Sequence, residues 1–149
     1  MSPPTVKVTK RVDLPPEVVY GIAVDVEHYT EFVPGVRRAV MAEDADGHKI
    51  VEMELRRGPF SVHLRSRVTL DEGRSITIEE SDGPFKGTRM VWSFVPLFDG
   101  QKTDVSFEAD FRLPGALLHS LSSIVAGVYA REVVDAFIQR AHGVATRKP

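Results

Sequence analysis

Between Val36 and Leu113 the chain switches polarity at almost every step, and that alternation leaves few folds open to it. Apolar side chains hold one parity in Val51, Met53 and Leu55, in Phe60, Val62, Leu64, Val68 and Leu70, in Met90, Trp92 and Phe94, and in Val105, Phe107, Ala109, Phe111 and Leu113. Charged side chains hold the other: Glu52, Glu54 and Arg56, then His63, Arg65 and Arg67, then Asp104, Glu108, Asp110 and Arg112. A period of two marks strands with one dry face and one wet face. Turn residues at Asp44–Gly47, Gly58-Pro59, Asp71–Gly73, Asp82–Pro84 and Asp99-Gly100 cut the stretch into an antiparallel meander of about six strands.

The same alternation in Val6, Val8 and Val12 predicts a first strand over 5–13. Pro15-Pro16-Glu17 presets the first turn of a helix over 16–25, with a carboxylate at its positive end. Tyr29, Phe32 and Val33 repeat at helical spacing in a second short helix that Pro34-Gly35 must end.

The dry face of such a sheet needs a cover. The one long segment left runs from Pro114 to about His142, about 40 Å if helical. Leu117, Leu121, Ile124 and Val128 make a first apolar stripe on it, and Val134, Phe137 and Ala141 a second. Arg131 and Glu132 fall where the first stripe should continue, beside Gly127, so a bend or a close approach is expected there. The expectation is an α+β fold: a curved seven-stranded antiparallel sheet around a long C-terminal helix, with two short helices after strand one. It forms a single domain over 1–149 with an ordered core of about 5–142.

Composition narrows the function. A net charge of −2 provides no global positive field for DNA. The absence of cysteine removes disulfides and thiolate chemistry. No leader-like N-terminus and no long apolar run is present, so a cytoplasmic protein is expected. His28, His48, His63, His119 and His142 are scattered without metal-site spacing, and no nucleophile elbow, phosphate loop or dinucleotide fingerprint occurs. Neither a catalytic residue, a metal nor a cofactor is expected.

The inward parity has polar exceptions: Lys10, Ser66, Glu80, and Arg131 or Glu132 on the long helix. A buried charge needs a partner. One reading is edge exposure or a Lys10–Glu80 pair. The other has Ser66, Glu80 or Arg131 reaching into a cavity to hydrogen-bond the polar head of an apolar ligand. Arg37-Arg38, Arg56-Arg57 and Arg65 with Arg67 form local basic spots, read either as a solvated sheet surface or as a docking patch.

The order of elements resembles the helix-grip fold of the START-like (polyketide cyclase/dehydrase) superfamily. The run from Tyr20 through Asp25, Tyr29 and Phe32 to Pro34 looks like the signature of the coenzyme-Q-binding proteins and the ribosome-association toxins. Ser66-Arg67-Val68, Asp82–Phe85, Trp92–Pro96, Phe107–Phe111 and Val133–Ala141 agree with it, so that the resemblance covers about 6 to 141. Gly35 and Val36 stand where such relatives carry a tryptophan.

The resemblance implies a cavity for a quinone, lipid or polyketide. Phe32, Val33 and Pro34 are then its entrance. Its walls are Leu55, Phe60, Val62, Leu64, Phe85, Met90, Trp92, Phe94, Phe107, Leu117, Leu121 and Val125, and its polar groups Ser66, Glu80 and Arg131. It further implies a non-enzymatic carrier, with an aromatase/cyclase or a ribosome or protein interaction module as alternatives. Transient membrane or ribosome contact through the basic spots would accompany these.

Overall fold

Val6, Val8 and Val12 turn inward on β1 (Thr5–Val12), and the chain then enters α1 (Pro16–Val24) and a 3-10 helix (Val26–Glu31). Six strands follow: β2 (Val36–Ala45), β3 (His48–Arg57), β4 (Phe60–Asp71), β5 (Ser75–Asp82), β6 (Arg89–Leu97) and β7 (Lys102–Asp110). A long helix, α2 (Ser123–Arg147), closes the order. The computed structural model describes residues 5–45, 48–57, 59–83, 85–112 and 123–147.

The strands form one seven-stranded sheet in the order β1-β7-β6-β5-β4-β3-β2, every neighbouring pair antiparallel. β2 to β7 are a plain meander, and β1 comes back to pair with β7. Irregularities between Val36 and Arg38, Met41 and Glu43, and Arg65 and Ser66 bend the ladder. With α2 and α1 against the inner face, this is the helix-grip arrangement.

Pro16 opens α1 where its missing N–H costs nothing, and Glu17 sits in the first turn. The second short helix differs from the expected one. It starts at Val26 and is of the tighter 3-10 type, with three-residue bonds from the His28 N–H to the Asp25 carbonyl and from the Phe32 N–H to the Tyr29 carbonyl, which also takes the Val33 N–H. Gly35 then adopts φ +85°, and a Cβ there would meet the Arg56 carbonyl oxygen at 3.1 Å. A tryptophan at this position would need a different backbone.

On α2 the expected broken stripe is corrected. Gly127, Ala130, Val134, Phe137 and Ala141 are buried in steps of three and four, one continuous face. Val128 is 45% exposed and Arg131 is exposed, so the face meeting the sheet lies one residue away from the stripe read through Val128. No break is needed at Gly127, whose added Cβ would meet, among the described residues, only the Arg131 guanidinium, at 3.9 Å. The helix also runs past His142 and Gly143 to Arg147. Its expected start at Pro114, with Leu117 and Leu121, lies outside the described residues.

The core joins both layers. Trp92 packs on Phe107 at 4.8 Å and on Phe137 of α2 at 4.7 Å between ring centres, and stacks parallel to Phe94 at 6.4 Å. Phe137 continues edge-on to Tyr29 and Phe32, both at 5.2 Å. Edge-to-face rings at these separations add to the area they bury. The cluster ties β6, β7, α2 and the 3-10 helix together.

Candidate functional site

The β4–β5 hairpin turns at Asp71–Ser75, and counting outward from it brings Ser66 opposite Glu80. Arg65 then pairs with Asp82, so Ser81 is the extra residue of a bulge, its hydroxyl donating to the Arg65 carbonyl at 2.9 Å. Glu80 keeps the inward parity of Ile76 and Ile78, and Ser66 that of Leu64 and Val68. Both are buried, at 4% and 6% exposure. The Ser66 Oγ lies 2.8 Å from Glu80 Oε1 and 2.9 Å from Oε2.

The strand register runs a row across the inner face from Met41 to Val51, Ser66 and Glu80. It ends at Thr88, whose carbonyl accepts the Glu80 N–H at 2.9 Å. Thr88 is buried, and its hydroxyl is occupied by the backbone of Arg112, donating to the carbonyl at 3.2 Å and accepting from the N–H at 2.8 Å. Glu80 is thus a carboxyl among apolar neighbours with one serine for company. Burial pushes it up to about 7, and the Ser66 hydrogen bond opposes that rise. No cation among the described residues offsets the burial. Such a group donates a hydrogen bond when protonated, accepts when ionised, and exchanges its proton near neutral pH.

The expected Lys10–Glu80 pair does not form. Lys10 stands opposite Val105 at the β1 edge, exposed, with β7 and β6 between it and β5. Arg131 is also corrected, since it lies on the exposed side of α2 rather than pointing inward with Ser66 and Glu80. Leu64 is buried and Leu55, Val62 and Met90 are half-buried on the sheet's inner parity, while Trp92, Phe94 and Phe107 are core. Phe85 packs on Phe111 at 6.5 Å in the loop beyond β5. Leu117 and Leu121 lie outside the described residues, as do the side chains of Phe60 and Val125.

Phe32 has a different setting from the pair. It lines a surface cleft of about 280 Å³ between α1 and the C-terminal half of α2, with Val18, Ile22, Arg140 and Val144. The Arg140 guanidinium lies 5.2 Å from the Phe32 ring centre and donates to Glu31 at 2.8 Å. Asp25 at 2.8 Å from His28 Nδ1 raises that imidazole above its ordinary value. Val33 is buried and Pro34 half-buried, and the Pro34 carbonyl accepts the Tyr129 hydroxyl at 2.7 Å.

Sequence reasoning missed Tyr129, Thr88 and the Asp25–His28 and Glu31–Arg140 contacts. The Glu31–Arg140 contact spans 109 residues, beyond anything periodicity can report. Thr103 was also missed, although it shares the inward parity of Val105. Its hydroxyl donates to the Leu14 carbonyl at 2.7 Å.

The outer face is mixed in sign. Arg65 donates to Glu52 at 3.1 Å, with His63 at 3.7 Å from the same carboxylate, and Arg38 stands opposite Glu54 in register. Among the described residues, no three histidines and carboxylates gather as a metal site would need, and no helix is long and apolar enough to cross a membrane.

A family model described as polyketide cyclase / dehydrase and lipid transport matches residues 12–138. The ribosome association toxin RatA of Escherichia coli is 28% identical over 141 residues, 95% of this chain and 89% of that one. Among solved structures, a START superfamily protein of Mycobacterium smegmatis aligns with a TM-score of 0.79 at 20% identity, covering 94% of this chain and 98% of its own. The Zhui aromatase/cyclase of a Streptomyces species aligns with a TM-score of 0.71 at 21% identity, over 93% of each chain.

Proposed function

This chain belongs to the polyketide cyclase / dehydrase and lipid transport family, and on that premise we propose that it is a carrier, acting as one domain, for a hydrophobic small molecule of the quinone, lipid or polyketide kind. The ligand sits on the inner face of the sheet beneath α2, with its polar group at Ser66 and Glu80. One observation carries the reading: a buried carboxyl hydrogen-bonded to a buried serine, without a cation among the described residues, on a largely apolar inner face whose buried threonines, Thr88 and Thr103, are bonded to backbone. A group of that kind adds little to stability, since an apolar pair would fill the same space without the desolvation cost. It does fix the orientation of a ligand whose affinity comes from apolar burial, roughly 25 cal/mol per Å². No cofactor is part of the reading, and the carrier works in the cytoplasm.

The test is native mass spectrometry of the purified protein followed by organic extraction. A co-purifying lipid, quinone or polyketide supports the carrier. A clean apo mass, with no thermal shift on adding quinones or fatty acyl lipids, removes it.

A second reading, polyketide cyclisation or dehydration, is favoured by Glu80 titrating at about 7, where a carboxyl both takes and returns a proton. It requires a cyclised or dehydrated product, seen by mass spectrometry, that disappears in Glu80→Gln. The name of the RatA relatives suggests ribosome contact as a third reading, which salt-dependent co-sedimentation with ribosomes checks.

A further inference from the structure

We infer that Glu80 selects ligands presenting a carbonyl oxygen, acting as a hydrogen-bond donor while Ser66 holds its carboxyl in place. The inference rests on the carrier reading and names the chemistry of the ligand's polar group. It follows from counting hydrogens. Ser66 has one hydroxyl hydrogen and is within reach of both Glu80 oxygens, at 2.8 and 2.9 Å. Thr88, the next polar side chain along the row, has its hydroxyl committed to the Arg112 backbone on both sides.

The remaining neighbours in the row and on the flanking positions, Val51, Leu64, Val68 and Ile78, offer no donor. The nearby arginines of β4, Arg65 and Arg67, occupy the outward parity, and Lys10 and Arg131 are exposed elsewhere. With the cations among the described residues turned away, the carboxyl is cheapest in its neutral form, in which one oxygen accepts from Ser66 and the other carries a hydrogen. Among the described side chains that hydrogen has only the Ser66 oxygen as a competing acceptor, and a ligand carbonyl that reaches it takes the donor. A carbonyl accepts it, a hydrocarbon cannot, and an ammonium would instead demand the ionised carboxylate.

Three probes on one naphthalene frame separate these cases at pH 6 by ligand-observed NMR titration: 2-acetylnaphthalene, 2-ethylnaphthalene and 1-(2-naphthyl)ethylamine. The ketone is expected to bind about tenfold tighter than the ethyl compound, the scale of one net hydrogen bond. Glu80→Gln keeps that preference because its amide still donates, and Glu80→Leu loses it while still binding the ethyl compound. Equal binding of ketone and hydrocarbon by the unaltered protein overturns the inference and leaves the carrier standing. Tighter binding of the amine also overturns it, by making Glu80 an acceptor. Binding of none of the three overturns the inference together with the carrier reading.

Discussion

Ser66 and Glu80 face each other across adjacent strands, and a single serine oxygen contacts both carboxyl oxygens. Most of what the protein should do differently from an ordinary sheet-and-helix domain traces to that pair. Its consequences reach stability as well as binding, because a carboxyl held near neutrality in the folded state titrates elsewhere in the unfolded chain.

Glu80 should make the protein less stable as pH rises. Its folded value of about 7 lies above the ordinary 4.5, so between those values the folded state binds more protons than the unfolded one. The stability this proton supplies is complete below about 4.5 and is lost as pH rises through 7, up to roughly 3 kcal/mol. Urea unfolding of the protein and of Glu80→Gln at pH 5.5 and pH 8 should give a difference that grows with pH in favour of the glutamine. His28, also raised, has the same sign but is present in both proteins and cancels. A difference identical at the two pH values would show that Glu80 does not titrate in this range.

Ser66→Ala should push the Glu80 carboxyl above 7. The serine hydrogen bond favours the ionised form, and burial is all that remains once it is gone. The side-chain carboxyl carbon shift of Glu80, followed by NMR against pH, measures this directly. A midpoint that moves down would contradict the geometry.

Phe137→Ala should cost about 3–5 kcal/mol. The ring is 2% exposed and touches Trp92, Tyr29 and Phe32 together, so nothing nearby can collapse into the space without breaking another contact. Denaturant titration followed by the emission of Trp92, the one tryptophan, reads both the lost stability and the loosened environment of the indole. A loss below 1 kcal/mol would mean that the aromatic cluster is not the joint between α2 and the sheet.

Two glycines should respond in opposite directions to alanine. Gly35 has φ +85° and its Cβ would press on the Arg56 carbonyl, so Gly35→Ala should destabilise by more than about 1 kcal/mol. Gly21 lies inside α1, exposed, with nothing within 4 Å of an added Cβ among the described residues, so Gly21→Ala should stabilise by roughly 0.5–1 kcal/mol. Thermal melts of the two variants side by side decide it, and a shift of the same sign in both would be wrong.

The meander was legible because charged residues keep one parity for whole strands, as from Glu52 to Arg56 and from Asp104 to Asp110, which rules out any one-residue slip, and the turns between strands fix the rest of the register. The opposition of Ser66 and Glu80 was available too, by counting outward from the turn after Asp71, yet inward parity alone suggested Lys10 as the partner. Parity says which face a residue occupies; only the strand order says how far apart two residues on that face are, and β7 and β6 separate Lys10 from β5.

Helix phase was the weaker signal. Gly127 and Ala130 carry the buried face with almost no side chain, so a stripe drawn through larger residues landed on Val128 and Arg131. The cleft around Phe32 joins α1 to residues more than a hundred positions later, a distance no local pattern spans.

The return of β1 to pair with β7 sets the order in which the chain can become whole. The Thr9–Ser106 contact joins residues 97 apart, whereas every other strand pair closes through a short turn. Closing so long a loop costs entropy that the local hairpins do not. On the ribosome the first strand made is the last to find its place, and until β7 emerges it has no neighbour. Its alternate Lys7, Thr9 and Arg11 keep that waiting strand wet on one side, which is what a segment needs if it must stay unpaired without pairing wrongly.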